Sequence, residues 1–130
     1  MKALDKHLDT FYIIFRIIIG VLFMFHGAQK LFGAFGGNTL DLFTLIWFAG
    51  IIEFFGGILI ILGVFTRIAA LFGGVTMIVA YFKVHAVNGL IPLTNGGELA
   101  LLYRAAFIMI FALGTRKWGL EKAIFGKEIL

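Results

Sequence analysis

The sequence predicts an all-α integral membrane protein: a bundle of four antiparallel spans with both termini on the cytoplasmic side. Composition is the first observation behind this. Hydrophobic residues make up 62% of the 130 positions and charged residues only 14%, against roughly 25% charged in soluble domains. The second is that the hydrophobicity gathers in four apolar segments, residues 11–32, 43–65, 68–86 and 98–114. The third is the placement of the basic residues. Lys2, Lys6, Arg67, Arg116, Lys117, Lys122 and Lys127 fall on the side of the termini, with Arg16 near it, whereas only Lys30 and Lys83 fall on the other. Loops kept in the cytoplasm carry the excess of Lys and Arg, so the expected location is the cell's inner (plasma) membrane, crossed several times.

Each element follows from length and punctuation. A crossing needs roughly 20 apolar residues, and residues 11–32 satisfy this. Their apolar run is too long for a removable signal peptide and no small-residue cleavage site follows, so the segment is expected to stay in the mature protein. GAFGGNTLDL breaks the chain after it. Residues 43–65 form the second span, and the tight turn at Thr66-Arg67 makes the second and third spans a helical hairpin. After residues 68–86 comes VNGLIPLTNGG, a loop with the only proline, Pro92, and clustered helix breakers. Residues 98–114 are short and need their flanks or a thin local bilayer to cross. In the tail, residues 115–130, basic residues alternate with Trp118, Leu120, Ile124 and Phe125, the pattern of an amphipathic helix lying on the inner surface. Trp47, Tyr103 and Trp118 fit an interfacial aromatic belt. Four spans in this length leave room for one domain only.

Some functions are excluded. Without cysteine the chain has no disulfide exchange of its own and no thiolate metal site. Its net charge of +4 is explained by topology and by anionic headgroups. Binding of nucleic acid is not expected, because its aromatic residues lie in spans rather than on exposed stacking platforms.

The candidate site grows from Glu53, placed deep within LFTLIWFAGIIEFFGGILIILGVF. A carboxylate so far from either end cannot snorkel to water and calls for a partner inside the bundle. Arg16, His26, Lys30, His85, Glu98 and Arg104 are the other ionisable residues within or at the ends of the spans. Helix residues three, four or seven apart share a face. Arg16, Gly20, Phe23, Gly27 and Lys30 therefore form one stripe, with His26 beside Lys30. Gly50, Glu53, Gly56, Gly57, Ile60 and Gly63 form a second, and Gly74, Met77, Tyr81 and His85 a third. Small residues let membrane helices approach closely, so the glycine faces point inward. His26, Lys30, Tyr81, His85 and Glu98 lie toward the outer end, with Glu53 near the middle, which predicts one outward-opening polar pocket. A metal centre is not expected: the two span histidines sit on different helices and the Glu-x-x-His motif of di-iron bundles is missing.

FRIIIGVLFMFHGAQKLFG, then EFFGGILIILGVFTRIAA, then NGGELALLY and finally GTRKWGLEK together resemble the DoxX family of small four-helix membrane proteins, over nearly the whole chain. The resemblance implies that Arg16, His26, Gly27, Lys30, Glu53, Gly57, Gly63, Asn95, Gly96 and Glu98 occupy the pattern's positions. Arg104 departs from it, standing where an apolar residue is more usual. It also implies a link to quinone-dependent oxidoreductase systems and thiol homeostasis.

Three functional readings compete. In the first, the pocket binds quinone as a cofactor. His26, Glu53 and His85 would relay protons, Arg16, Lys30, Tyr81, Asn95 and Glu98 would contribute to binding, and a soluble or membrane partner subunit would take the electrons. The chain would then be a subunit rather than a complete enzyme. In the second, it is a non-enzymatic anchor or assembly partner whose charges tie helices together, Glu53 to Lys30, Arg16 or Arg104, and His26 to Glu98. In the third, it transports a small solute or proton, with a homo-oligomer forming the path.

Overall fold

The computed structural model describes residues 2–129. Met1 and Leu130, the last residue of the expected tail helix, lie outside the described residues, as does the side chain of Lys2. All regular elements among the described residues are helical: α1 (Leu8–Phe32), α2 (Leu45–Leu62), α3 (Thr66–Ala80), α4 (Glu98–Leu113) and α5 (Leu120–Phe125), with shorter turns between them. Leu8–Phe32, Leu45–Leu62 and the helical stretch Thr66–Asn88 are each long and apolar enough to cross a membrane. The chain is a multi-pass membrane protein. At 1.5 Å per residue α1 extends about 37 Å, and α4 only about 24 Å.

Local chemistry sets the helix ends. The Thr44 hydroxyl caps α2 by accepting from the Trp47 N–H at 3.2 Å. α1 and α2 stop at Gly33 and Gly63, both left-handed (φ +66° and +67°), each returning its N–H to the last turn. Tyr12, early in α1, donates to the Gly114 carbonyl beyond α4 at 2.6 Å. Thr66, opening α3, meets the Thr115 hydroxyl at 2.9 Å. Packed neighbours thus run in opposite directions. One end of the molecule gathers the tail, and the other gathers the ends of α1 and α3 with the starts of α2 and α4.

The surface is inverted relative to a soluble protein. Ile14, Ile18, Phe48, Phe55, Phe72 and Phe111 are exposed, as expected where the solvent is hydrocarbon. Inside, Phe23, Ile60, Phe107 and Ile110 are fully buried, with the Phe23 and Phe107 rings edge to face at 4.7 Å. Glycine brings α1 and α2 together: a Cβ on Gly57 would stand 2.6 Å from the Gly20 carbonyl oxygen and from the Met24 nitrogen. Between α3 and α4, Gly73 gives its space to the Phe107 ring.

Three segments differ from the sequence expectation. The turn expected at Thr66-Arg67 lies at residues 63–65, so that Thr66 and Arg67 already belong to α3. α3 is α-helical only to Ala80 and continues as a π-helical turn, Tyr81–His85, whose cause lies in the following loop, described below. The tail, expected as an interfacial helix over residues 115–130, is helical only across Leu120–Phe125 and folds under the bundle. Gly119 abuts Gly63, and the Glu121 N–H reaches the Gly63 carbonyl at 3.3 Å. Glu128 accepts from the Thr115 N–H at 2.7 Å and faces Arg67 at 3.5 Å. Asp9 pairs with Arg116 at 2.7 Å and Lys117 at 2.8 Å. The polar groups left open at the helix ends explain the difference, since the tail satisfies them. Glu121 is buried (1% exposed), and neither carboxylate oxygen has a hydrogen-bond partner among the described residues. Glu121→Leu should therefore raise stability in detergent by at least about 1 kcal/mol, read as an upward shift of the thermal transition; a lower transition would mean that the carboxylate has a stabilising partner.

Candidate functional site

At the end away from the tail, the loop after α3 is built around Asn95. This buried side chain donates to the Gly89 carbonyl at 2.7 Å, and its Oδ1 accepts from the Gly97 N–H at 2.7 Å, the self-bonding habit that makes Asn a turn former. It also donates to the Tyr81 hydroxyl at 3.4 Å, and that hydroxyl donates to the Leu90 carbonyl at 2.9 Å. His85 Nδ1 lies 3.3 Å from the Asn95 carbonyl oxygen. Tyr81 and His85 are thus tied to the loop, and the π turn carries the extra residue that lets both reach it. Such turns often mark functional sites.

Beneath this loop is a cavity of about 250 Å³. His26 and Phe23 of α1, Glu53 of α2, Met77 and Ala80 of α3, and Tyr103 of α4 wall it, together with Lys30 and His85. Glu53 is 1% exposed. Its Oε1 accepts a hydrogen bond from the Lys30 ammonium, and the two form an ion pair. Oε2 is buried, with no donor among the described residues. Lys30 keeps 28% of its side chain exposed, its stem reaching out of the site while its head holds the carboxylate. The His26 ring stands edge-on to Tyr103, 5.8 Å between centroids.

The structure therefore brings together Glu53, Lys30, His26 and His85. Other predicted residues lie elsewhere. Tyr81 and Asn95 support the loop and are not among the cavity walls. Glu98 is exposed at the first residue of α4, where a carboxylate suits the positive end of the helix. Arg16 is at the far end, 2% exposed, donating to the Thr115 carbonyl at 2.9 Å. Of the partners considered for Glu53, Lys30 is the one that reaches it. Arg104 instead lies against Gly74, and no ion pair among the described residues joins His26 to Glu98. Among the described residues no three His, Asp or Glu side chains converge on a point where a metal ion would sit.

Tyr103 is the residue that the sequence reading misplaced. Expected at an interface, it is 4% exposed and forms a cavity wall. Ala100, Tyr103 and Phe107 recur at three- and four-residue spacing, the signal of an inward face.

The arrangement offers one buried acceptor, one cation and two imidazoles around an aromatic-walled space. That chemistry suits a flat ligand with hydrogen-bonding oxygens. The profile of the DoxX family matches residues 11–86, a stretch that includes Arg16, His26, Lys30, Glu53, Tyr81 and His85. An uncharacterized protein of Haemophilus influenzae is 37% identical over 134 residues, covering 98% of this chain and 100% of its own. A Bacillus subtilis protein bearing the name Putative oxidoreductase CatD is 28% identical over 132 residues, with 96% of each chain covered. No solved structure matches the chain.

Proposed function

The chain belongs to the DoxX family, and on that footing we propose that it is the membrane subunit of a quinone-linked oxidoreductase system, binding quinone or quinol in the Glu53 cavity. In this reading the whole chain is one domain of four antiparallel spans in the inner (plasma) membrane. Both termini are cytoplasmic and the cavity lies toward the outer face, the orientation favoured by the basic residues at the tail end.

One observation carries the proposal: Glu53 Oε2 is a buried acceptor with no donor among the described residues, in a cavity that Lys30, His26 and His85 also wall. A buried oxygen of this kind needs a donor to offset its lost hydration, and a quinol hydroxyl supplies one. Lys30 would favour negative charge on a ring oxygen, and a carboxylate beside two imidazoles can accept protons. Phe23 and Tyr103 offer flat walls to the ring. When bound, a quinol releases two electrons and two protons. The protons are taken by this chain's polar residues. The electrons go to a partner subunit, since a chain without cysteine cannot hold an iron–sulfur cluster by thiolates. The name carried by the Bacillus subtilis relative agrees with redox work.

Glu53→Gln tests this. The amide keeps the shape, and Lys30 can still turn to water, so folding in detergent should persist while affinity for a short-chain quinone, titrated by tryptophan fluorescence, falls about tenfold. Unchanged affinity would remove Glu53 from the site.

A second reading, that of a non-enzymatic anchor or assembly partner, has the ion pair itself in its favour, because a tie between α1 and α2 is what a purely structural Glu53 would make. It expects Glu53→Gln to lower the thermal transition and added quinone to change nothing. Transport has less support: Phe23, Ile60, Phe107 and Ile110 are fully buried in the interior of the single chain.

A further inference from the structure

We infer that the quinone of the proposed site is a long-tailed one that enters sideways from the bilayer, its ring in the Glu53 cavity and its hydrocarbon tail in a groove between α2 and α3. The inference rests on the proposed function and goes beyond it by assigning a second part of the site, a substrate class and an entry route.

The groove is a separate space of about 400 Å³, walled by Leu45, Ile46, Ala49 and Ile52 of α2 and by Val75 and Val79 of α3, among others. Lys30, Glu53, Ala80 and His85 line both the groove and the cavity. These four residues therefore stand between the two spaces, and Lys30, Glu53 and His85 bring polar groups to that boundary. The molecule has a small chamber with convergent polar groups, and beside it a larger, nearly apolar trough that opens between two lipid-exposed helices. Polarity changes along that line as it does along a ring with an alkyl tail.

Size points the same way. Sites that bury most of a drug-sized ligand hold roughly 300–1,000 Å³. The cavity alone, at about 250 Å³, falls below that range, and cavity and groove together fall within it. A free ring would leave the groove to lipid chains, whereas a tailed ring fills both spaces and gains the burial of the tail. Entry from the side also agrees with the loop beside the cavity, which Asn95 and Tyr81 fix in place by hydrogen bonds. The Lys30–Glu53 pair then lies on the path between lipid and chamber.

Two probes test the inference on the full chain in lipid nanodiscs: a dimethoxy-methyl-benzoquinone without a tail, and the same ring bearing a decyl chain. Groove-filling variants are made on opposite walls, Ala49→Phe and Val79→Phe, neither adding a tryptophan. Affinity for the tailed quinone should fall at least about tenfold in both variants, while affinity for the tailless ring stays within about twofold of the unmodified protein. If neither variant weakens the tailed probe, the groove holds lipid only and the inference fails, though the cavity reading survives. Equal losses for both probes in both variants would likewise overturn it, by showing that the substitutions act on the cavity. Should the unmodified protein bind neither probe, the proposed function itself falls.

Discussion

Replacing Lys30 by Met should destabilise the folded protein by about 3–5 kcal/mol, because it leaves the Glu53 carboxylate buried and unpaired. The cost is asymmetric. Glu53 is 1% exposed and already has one oxygen without a donor among the described residues, so losing Lys30 strips the carboxylate of the cation hydrogen-bonded to it. Lys30 is partly exposed and can reach water when Glu53 changes. The double variant Lys30→Met/Glu53→Met should recover most of the loss, since apolar pairs of similar volume often replace buried ion pairs at no cost. Denaturant titration in detergent, followed by helicity, measures all three proteins. A single Lys30→Met variant as stable as the parent would show that the buried carboxylate has another source of stabilisation. A double variant as unstable as the single would show that Lys30 contributes chiefly by packing its stem.

Gly27→Leu is expected to be nearly as damaging, at the upper end of the roughly 1–3 kcal/mol typical of overpacking or beyond it. A Cβ at this position would overlap the backbone nitrogen of Phe54 and stand 2.6 Å from its Cα and 2.7 Å from the Gly50 carbonyl oxygen. Backbone atoms cannot move aside as the tip of a flexible side chain can. The helices would have to separate, and the seam that holds Lys30 against Glu53 would open with them. The same substitution at Gly126, where no atom stands within 4 Å of a Cβ but φ is +70°, should cost only the strain of the left-handed backbone. A Gly27→Leu protein with an unshifted thermal transition in detergent would mean that α1 and α2 do not need this close approach.

Much of the site was legible in the chain. Glu53 stood out because a carboxylate in the middle of an apolar segment has few ways of being stabilised, and the stripe through Arg16, Gly20, Phe23, Gly27 and Lys30 supplied two of its three candidate partners. Those inferences use only helical periodicity and the cost of burying charge, both local to the sequence. Tyr103 was not legible. The same ring serves equally well at a headgroup interface or inside a bundle, and only the packing of α4 on α3 and α1 decides between them. Tyr81 is a candidate from the sequence because it shares a stripe with His85, Asn95 because it matches the family pattern and Glu98 on that ground and its depth; none of these says which way a side chain turns.

By itself the sequence determined the solvent, the helical class, the end of the first long helix at Gly33, and the need for a partner near Glu53. Each follows from hydrophobic length, glycine's freedom at positive φ, or charge in hydrocarbon. The tertiary structure decided that Lys30 rather than Arg16 or Arg104 is that partner, that α3 widens into a π turn beside the Asn95 loop, and that the tail is helical only over Leu120–Phe125 and packs against the ends of the bundle. It alone set the small polar cavity beside the apolar groove. These outcomes depend on which of several chemically competent groups come within hydrogen-bonding distance, and that is fixed by glycine-mediated approach between helices distant in sequence.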